Sequence, residues 1–102
     1  MKKPLQIAFR GMETSEFLEG LIREKVSRLE RLRSDLISCR VVVEAPNRKA
    51  DSAKATLAVA VEVEIPGRPL IVARGQEPPH DAKGGQARAV TLAFDAAERS
   101  VA

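Results

Sequence analysis

The stretch TSEFLEGLIREKVSRLERLR, residues 14–33, decides how the rest of this chain is arranged. At 100° per residue, its apolar side chains fall on one half of a helical cylinder and most of its charged side chains on the other. The apolar set is Phe17, Leu18, Leu21, Ile22, Val26, Leu29 and Leu32. This spacing predicts an amphipathic helix lying on a core.

Local signals agree with the direction of this helix. Thr14 or Ser15 can cap the first backbone amides of the helix. Arginines are frequent in its last turns, where the negative end of the helix dipole stabilises positive charge. The i,i+4 pairs Glu19–Arg23 and Glu24–Arg28 predict surface ion pairs worth roughly 0.2–0.5 kcal/mol each. Lys25 interrupts the apolar half. Either its methylenes lie on apolar surface while the ammonium reaches water, or the ammonium meets an anionic partner at the rim, and both can hold together.

The segments around the helix predict four strands and a second helix. Alternating apolar and polar residues predict strands at 5–10, 38–45, 53–65 and 70–74, and a 3.6-residue period predicts a helix at 86–101. Pro66 and Gly67 suit a hairpin turn, and residues 76–85 predict a loop. The order β-α-β-β-β-α predicts an α+β fold of two layers, a four-stranded sheet with two helices packed on one face and water on the other.

Composition narrows the class of protein. With 102 residues, 44% of them hydrophobic, we expect one domain spanning residues 1–102. There is no apolar run of about 20 residues and no apolar region of a secretory signal, so we expect a cytoplasmic protein without a membrane partner. The single cysteine, Cys39, predicts a small buried hydrophobe.

Catalytic patterns are absent from the sequence. His80 has only Asp81 beside it, and Glu62 and Glu64 share a strand face in a way that is usual for a solvated surface. We therefore expect no enzyme activity, no cofactor or metal, and no small-molecule substrate.

Charge is unevenly distributed along the chain. Residues 1–50 carry eleven Lys/Arg against seven Asp/Glu, whereas residues 51–102 carry six against seven. Interleaved glutamates are compatible with an ordinary solvated helix face, while the basic excess is typical of a surface that binds phosphates. Structured RNA would be recognised through its shape, and we expect no exposed aromatic side chain for base stacking.

Three segments resemble one family: LQIAFRG at 5–11, EFLEGLIREKVSRLERL at 16–32 and CRVVVE at 39–44. They are similar to ribosome hibernation-promoting factors, also called ribosome-associated inhibitors or sigma-54 modulation proteins, most specifically in E-K-x-x-R-L-E-R. The resemblance implies a translation regulator of the stress response that binds the small ribosomal subunit. It would bind 16S rRNA near the decoding region and exclude tRNA and mRNA.

By position, Lys25 and Arg28 match the basic positions of the family's first helix, and Arg31 continues that surface. Together with the helical wheel and the basic half of the chain, this gives the predicted rRNA-binding set. The set is Arg10, Arg23, Lys25, Arg28, Arg31, Arg33, Arg48 and Lys49.

The resemblance weakens in the C-terminal third. Residues 85–90, GQARAV, stand where family members have an acidic and aromatic entry to the second helix. We also expect this chain to lack the family's basic C-terminal tail and the long form's dimerisation domain. Two other functions are therefore compatible with the sequence. One is a non-ribosomal protein-interaction or regulatory module that uses the open sheet face around Arg40, Val42, Ala58 and Ala60. The other is a general binder of structured RNA.

Overall fold

A computed structural model describes residues 1–45, 57–76 and 85–102. The elements are β1 (Gln6–Arg10), α1 (Glu16–Leu32), β2 (Ser38–Glu44), β3 (Ala58–Glu64), β4 (Ile71–Gln76) and α2 (Gly85–Val101). This order confirms the predicted α+β fold. The predicted strand start at residues 53–56 and most of the predicted loop, with His80 and Asp81, lie outside the described residues.

The sheet has the order β1-β2-β3-β4, with β1 parallel to β2 and the remaining pairs antiparallel. The parallel pair follows from connectivity, because α1 carries the chain back across the sheet between β1 and β2. Register places Val41 beside Ile7 and Val61, and Val61 beside Ala73. This row belongs to the face that the helices cover.

The core is aliphatic, as the composition predicts. Helix α1 contributes Leu18, Ile22, Val26 and Leu29, and α2 contributes the fully buried Phe94. The predicted inward residues of β2 and β3 are all buried: Cys39, Val41, Val43, Leu57, Val59, Val61, Val63 and Ile65. Within the described ranges, no polar or charged residue is buried.

Two apolar residues of α1 do not join the core, and there the prediction was wrong. Phe17 is 70% exposed and Leu32 is 59% exposed. Phe17 lies one step of roughly 100° around the helix from the buried Leu18, which turns it away from the sheet. The same finding corrects the expectation that no aromatic side chain would be exposed.

Local turn and cap signals are confirmed. The Ser15 hydroxyl caps α1 by accepting a hydrogen bond from the amide of Leu18 at 3.2 Å. Gly67 has a φ of 74°, and the amide of Arg68 donates to the carbonyl of Ile65 at 3.4 Å, which closes the β3–β4 hairpin. None of the helices in the described segments is long and apolar enough to cross a membrane.

Candidate nucleic-acid interface

Three arginines lie on the solvent-facing side of α1, and we call them the α1 ridge: Arg23, Arg28 and Arg31. All three are exposed. Helical geometry places Arg31 near the centre of the exposed side, with the other two on its flanks, over a rise of roughly 12 Å. The exposed Glu24 lies on the same side and offsets part of the positive charge.

Arg23 keeps most of its side chain in solvent. Its Nη2 lies 4.0 Å from Oε1 of Glu19, and 65% of the Arg23 side chain is exposed. The predicted i,i+4 pair is therefore present in a loose form. An ion pair this open contributes little to stability and leaves the guanidinium accessible to another anion.

Arg28 has a different partner from the one predicted. Its Nε lies 3.2 Å from Oε2 of Glu98 on α2, and within the described part of the chain no ion pair joins it to Glu24. The carboxylate side of this pair is only 17% exposed, whereas the Arg28 side chain is 61% exposed. Arg28 thus joins the two helices while part of its guanidinium faces solvent.

Arg33 serves the fold at the end of α1. Its Nε and Nη2 donate to the two carboxylate oxygens of Asp35 at 2.7 and 3.2 Å, and its Nη1 donates to the carbonyl of Val101 at 3.0 Å. The bond to Val101 ties the end of α1 to the end of α2, and the bonds to Asp35 hold the guanidinium in place. The Arg33 hydrogen bond lowers the pKa of the Asp35 carboxyl, and the same bond raises the pKa of the Arg33 guanidinium.

Of the remaining predicted cations, the two in the described residues, Arg10 and Lys25, do not lie on the α1 ridge. Lys25 is half-buried among the apolar residues of α1, as expected for a stem lying on apolar surface. Arg10 ends β1 and lines a trough on the sheet face opposite the helices. Arg48 and Lys49 lie outside the described residues.

The sequence did not predict two residues that contribute to the trough and to the α1 ridge, Arg74 and Glu98. Arg74 lines the same trough as Arg10, and its place follows from period-two alternation along β4. Glu98 pairs with Arg28, which no local spacing indicates, because the two residues meet only when α1 and α2 pack together.

The described residues contain no group of three or more His, Cys, Asp or Glu side chains placed to hold a metal ion. Burial raises the pKa of the Cys39 thiol to about 12, and the charge of Glu30 adds to the shift. The thiol is therefore protonated at neutral pH, when it is a poor nucleophile. This confirms the interpretation of Cys39 as a buried hydrophobe.

The fold and the α1 ridge together define a two-layer α+β domain that presents three arginines of its first helix to solvent. The chain belongs to the family described as "Sigma 54 modulation protein / S30EA ribosomal protein", which matches residues 5–102. This confirms the family that the first helix and its neighbouring strands resemble.

Solved structures share the fold at low sequence identity. The N-terminal domain of Protein Y from Thermus thermophilus is 19% identical, with a TM-score of 0.69, and the match covers 94% of this chain and 91% of that one. A ribosomal subunit interface protein from Coxiella burnetii is 16% identical, with a TM-score of 0.61 and coverage of 96% and 98%. No curated protein matches the chain in sequence.

Proposed function

We propose that this protein is a ribosome-associated translation inhibitor that binds 16S rRNA of the small subunit near the decoding region, where it excludes tRNA and mRNA. Family membership supports association with the ribosome, and the structural relative from Coxiella burnetii is itself a ribosomal subunit interface protein. In this proposal the protein acts by steric exclusion and catalyses no reaction. It works in the cytoplasm as a single domain over residues 1–102.

The observation that carries this proposal is the exposure of the α1 ridge. Arg23 is held only by a 4.0 Å contact, and Arg31 has no ion pair among the described residues. Arginines left in solvent by the fold can bind phosphates without breaking native contacts. Three phosphate contacts would lower the logarithm of the binding constant by roughly 2–3 per tenfold rise in salt concentration.

The other predicted cations take different roles in this proposal. Lys25 flanks the ridge at the rim of the apolar face, and the chain segment with Arg48 and Lys49 adds cations. Arg10 would contact RNA only if the RNA reached the opposite sheet face. Arg33 supports the interface indirectly, because its guanidinium is already bonded to Asp35 and to the end of α2.

Phe17 adds an apolar contact to the proposed interface. It is 70% exposed near the start of α1, within the same helix as the ridge. An exposed aromatic ring can stack on an unpaired base, an interaction worth about 1–3 kcal/mol. In this proposal the rRNA is bound mainly through phosphates, with one stacking contact at the end of the ridge.

The test is co-sedimentation with ribosomes and separated subunits at low and physiological salt. The variant Arg23→Glu/Arg31→Glu reverses the two solvent-facing ridge charges and spares the Arg28–Glu98 pair. Its control, Arg40→Glu/Arg74→Glu, makes the same change in net charge on the sheet face opposite the helices.

Salt-sensitive pelleting with the small subunit, lost in the ridge variant and kept in the control, is the expected result. No pelleting at low salt, or equal loss in both variants, contradicts the proposed interface. An excess of an arbitrary RNA duplex is added in parallel. Complete competition by that duplex would replace the ribosomal proposal with a general binder of structured RNA.

A further inference from the structure

The sheet face opposite the helices, here called the outer face, is open. It contains a trough of about 680 Å³ whose lining includes the short side chains of Val42, Ala58 and Ala60. A second hollow of about 330 Å³ lies at the end of the face where β1 begins, and its lining includes Pro4 and Leu70. Leu70 and Val72 add exposed apolar surface, at 56% and 45%.

The outer face carries charges of both signs. Its cations are Lys3, Arg10, Arg40 and Arg74, and its carboxylates are Glu44, Glu62 and Glu64. A face of mixed charge with a floor of small residues can pair with a second copy of itself, provided that opposite charges are brought to face one another.

We propose that the outer face binds a second copy of this chain, sheet against sheet, about a two-fold axis parallel to the strands and lying between β2 and β3. Such an axis places β2 over the partner's β3 and β1 over the partner's β4. Since rows of residues across the sheet are fixed by register, the facing pairs can be read directly.

The central pairs are complementary in charge and size. Arg40 and Glu62 are register neighbours on β2 and β3, 3.9 Å apart, so the axis sets Arg40 over the partner's Glu62 and the reverse. In the next row Val42 faces the partner's Ala60. One row further, Glu44 faces the partner's Ala58.

The outer strands continue the pattern. The row Ala8, Val42, Ala60 and Arg74 places the long Arg74 over the partner's Ala8. At the end of the face where β1 begins, the exposed Leu70 lies over the partner's second hollow, beside its Pro4. No like charges face one another in this arrangement.

A two-fold axis perpendicular to the strands gives poorer pairing. Along the row of Val42 and Ala60, it would set Arg74 against the partner's Arg74, and facing like charges destabilise an interface. Between that row and the row of Arg40 and Glu62, it would set Arg40 over the partner's Val42 and Glu62 over the partner's Ala60, so neither charge would face an opposite one. The pairing of Arg40 with the partner's Glu62 therefore favours the axis along the strands.

The interface would be small. Strands of five to seven residues, spaced about 4.8 Å apart with a rise of about 3.3 Å per residue, present about 400 Å² per copy, or roughly 800 Å² in total. Specific stable interfaces usually exceed about 1,000–1,200 Å², so the expected dimer is weak and depends on concentration. The α1 ridge lies on the opposite side of each copy and stays accessible.

The test is sedimentation velocity of the full chain from about 10 µM to about 1 mM, the range where weak association is detected. Wild-type protein should show a mean mass that rises with concentration. Arg40→Glu should weaken association more than about tenfold, because the introduced carboxylate would face the partner's Glu62. The double variant Arg40→Glu/Glu62→Arg restores opposite charges in both copies and should restore association.

A second variant separates association from folding. Ala8→Arg should abolish the dimer without lowering the melting temperature, because it sets two long cations against each other only across the interface. Arg23→Glu on α1 is the control that should not change association. Monomeric wild-type protein at the highest concentration, or unaltered association in Ala8→Arg, would overturn the proposal.

Discussion

The Nε of Arg28 and the Oε2 of Glu98 lie 3.2 Å apart, which joins the first helix to the last. The pair spans most of the chain and is the one ion pair between α1 and α2 in the described residues. Since the Glu98 side chain is only 17% exposed, its attraction to Arg28 is screened less by water than the attraction within a fully exposed pair. Arg28 therefore contributes to helix packing as well as to the basic ridge.

A double-mutant cycle on Arg28→Ala and Glu98→Ala should give a coupling free energy of about 0.5–1 kcal/mol, decreasing at high salt. The reference cycle is Glu19 with Arg23, whose 4.0 Å contact should give a smaller value. Urea denaturation of the four proteins in each cycle measures both quantities. Coupling no greater than in the reference cycle would show that the pair does not persist in solution.

Gly75→Ala should destabilise the protein by about 1–3 kcal/mol. A Cβ at this position would lie 2.5 Å from the Ala89 carbonyl oxygen and 2.5 Å from the Ala93 nitrogen, so α2 would have to move off β4. The matched control is Gly20→Ala on the exposed side of α1, where a Cβ meets nothing within 4 Å. That change should stabilise the helix by roughly 0.5–1 kcal/mol. Thermal melts compare the two, and equal effects would mean that α2 lies further from the sheet.

Phe17→Ser should change the free energy of unfolding by less than about 0.5 kcal/mol, because the ring is 70% exposed. The neighbouring Leu18→Ala should cost about 2–5 kcal/mol, since Leu18 is fully buried. Chemical denaturation distinguishes them. A large loss in Phe17→Ser would place the ring in the core.

Stability should fall in acid in a way that depends on Asp35. Its folded-state pKa is lowered by the Arg33 hydrogen bond, so this contribution is present above the ordinary Asp pKa of about 4 and is lost as pH falls through the folded value. Asp35→Asn should flatten that part of a denaturation-versus-pH curve. Arg33→Gln should remove most of the same effect, because the Arg33 hydrogen bond is the largest cause, while a backbone hydrogen bond and the charge of Arg68 retain a smaller part. Independent effects of the two changes would rule out the shared interaction.

Cys39 should resist alkylation at about pH 8 in the folded protein, since burial raises the pKa of its thiol to about 12 and leaves 1% of the residue exposed. Reaction with iodoacetamide should accelerate in denaturant, and its native rate should follow the free energy of unfolding. The same chain in urea is the control. Native labelling at the rate of a free thiol would contradict the burial.

Periodicity made the fold predictable from the sequence. Alternation in residues 57–65 and the 3.6-residue period of α1 each assign one face to the core, because secondary structure fixes where successive side chains point. The same reasoning places Ser15 at the helix start and Gly67 in the hairpin turn, where local backbone geometry decides. These properties depend on neighbours within a few residues.

The sequence alone determined the element order, the core-facing sides of the strands and the basic excess of residues 1–50. The tertiary structure decided which partner each cation contacts and which face of the domain it lies on. Arg28 turns to Glu98, Arg33 bonds to Asp35 and Val101, and Arg10 faces the opposite side of the sheet. The physical reason is range: periodicity orients a side chain on its own element, whereas an ion pair depends on which distant elements the packing brings within a few ångströms.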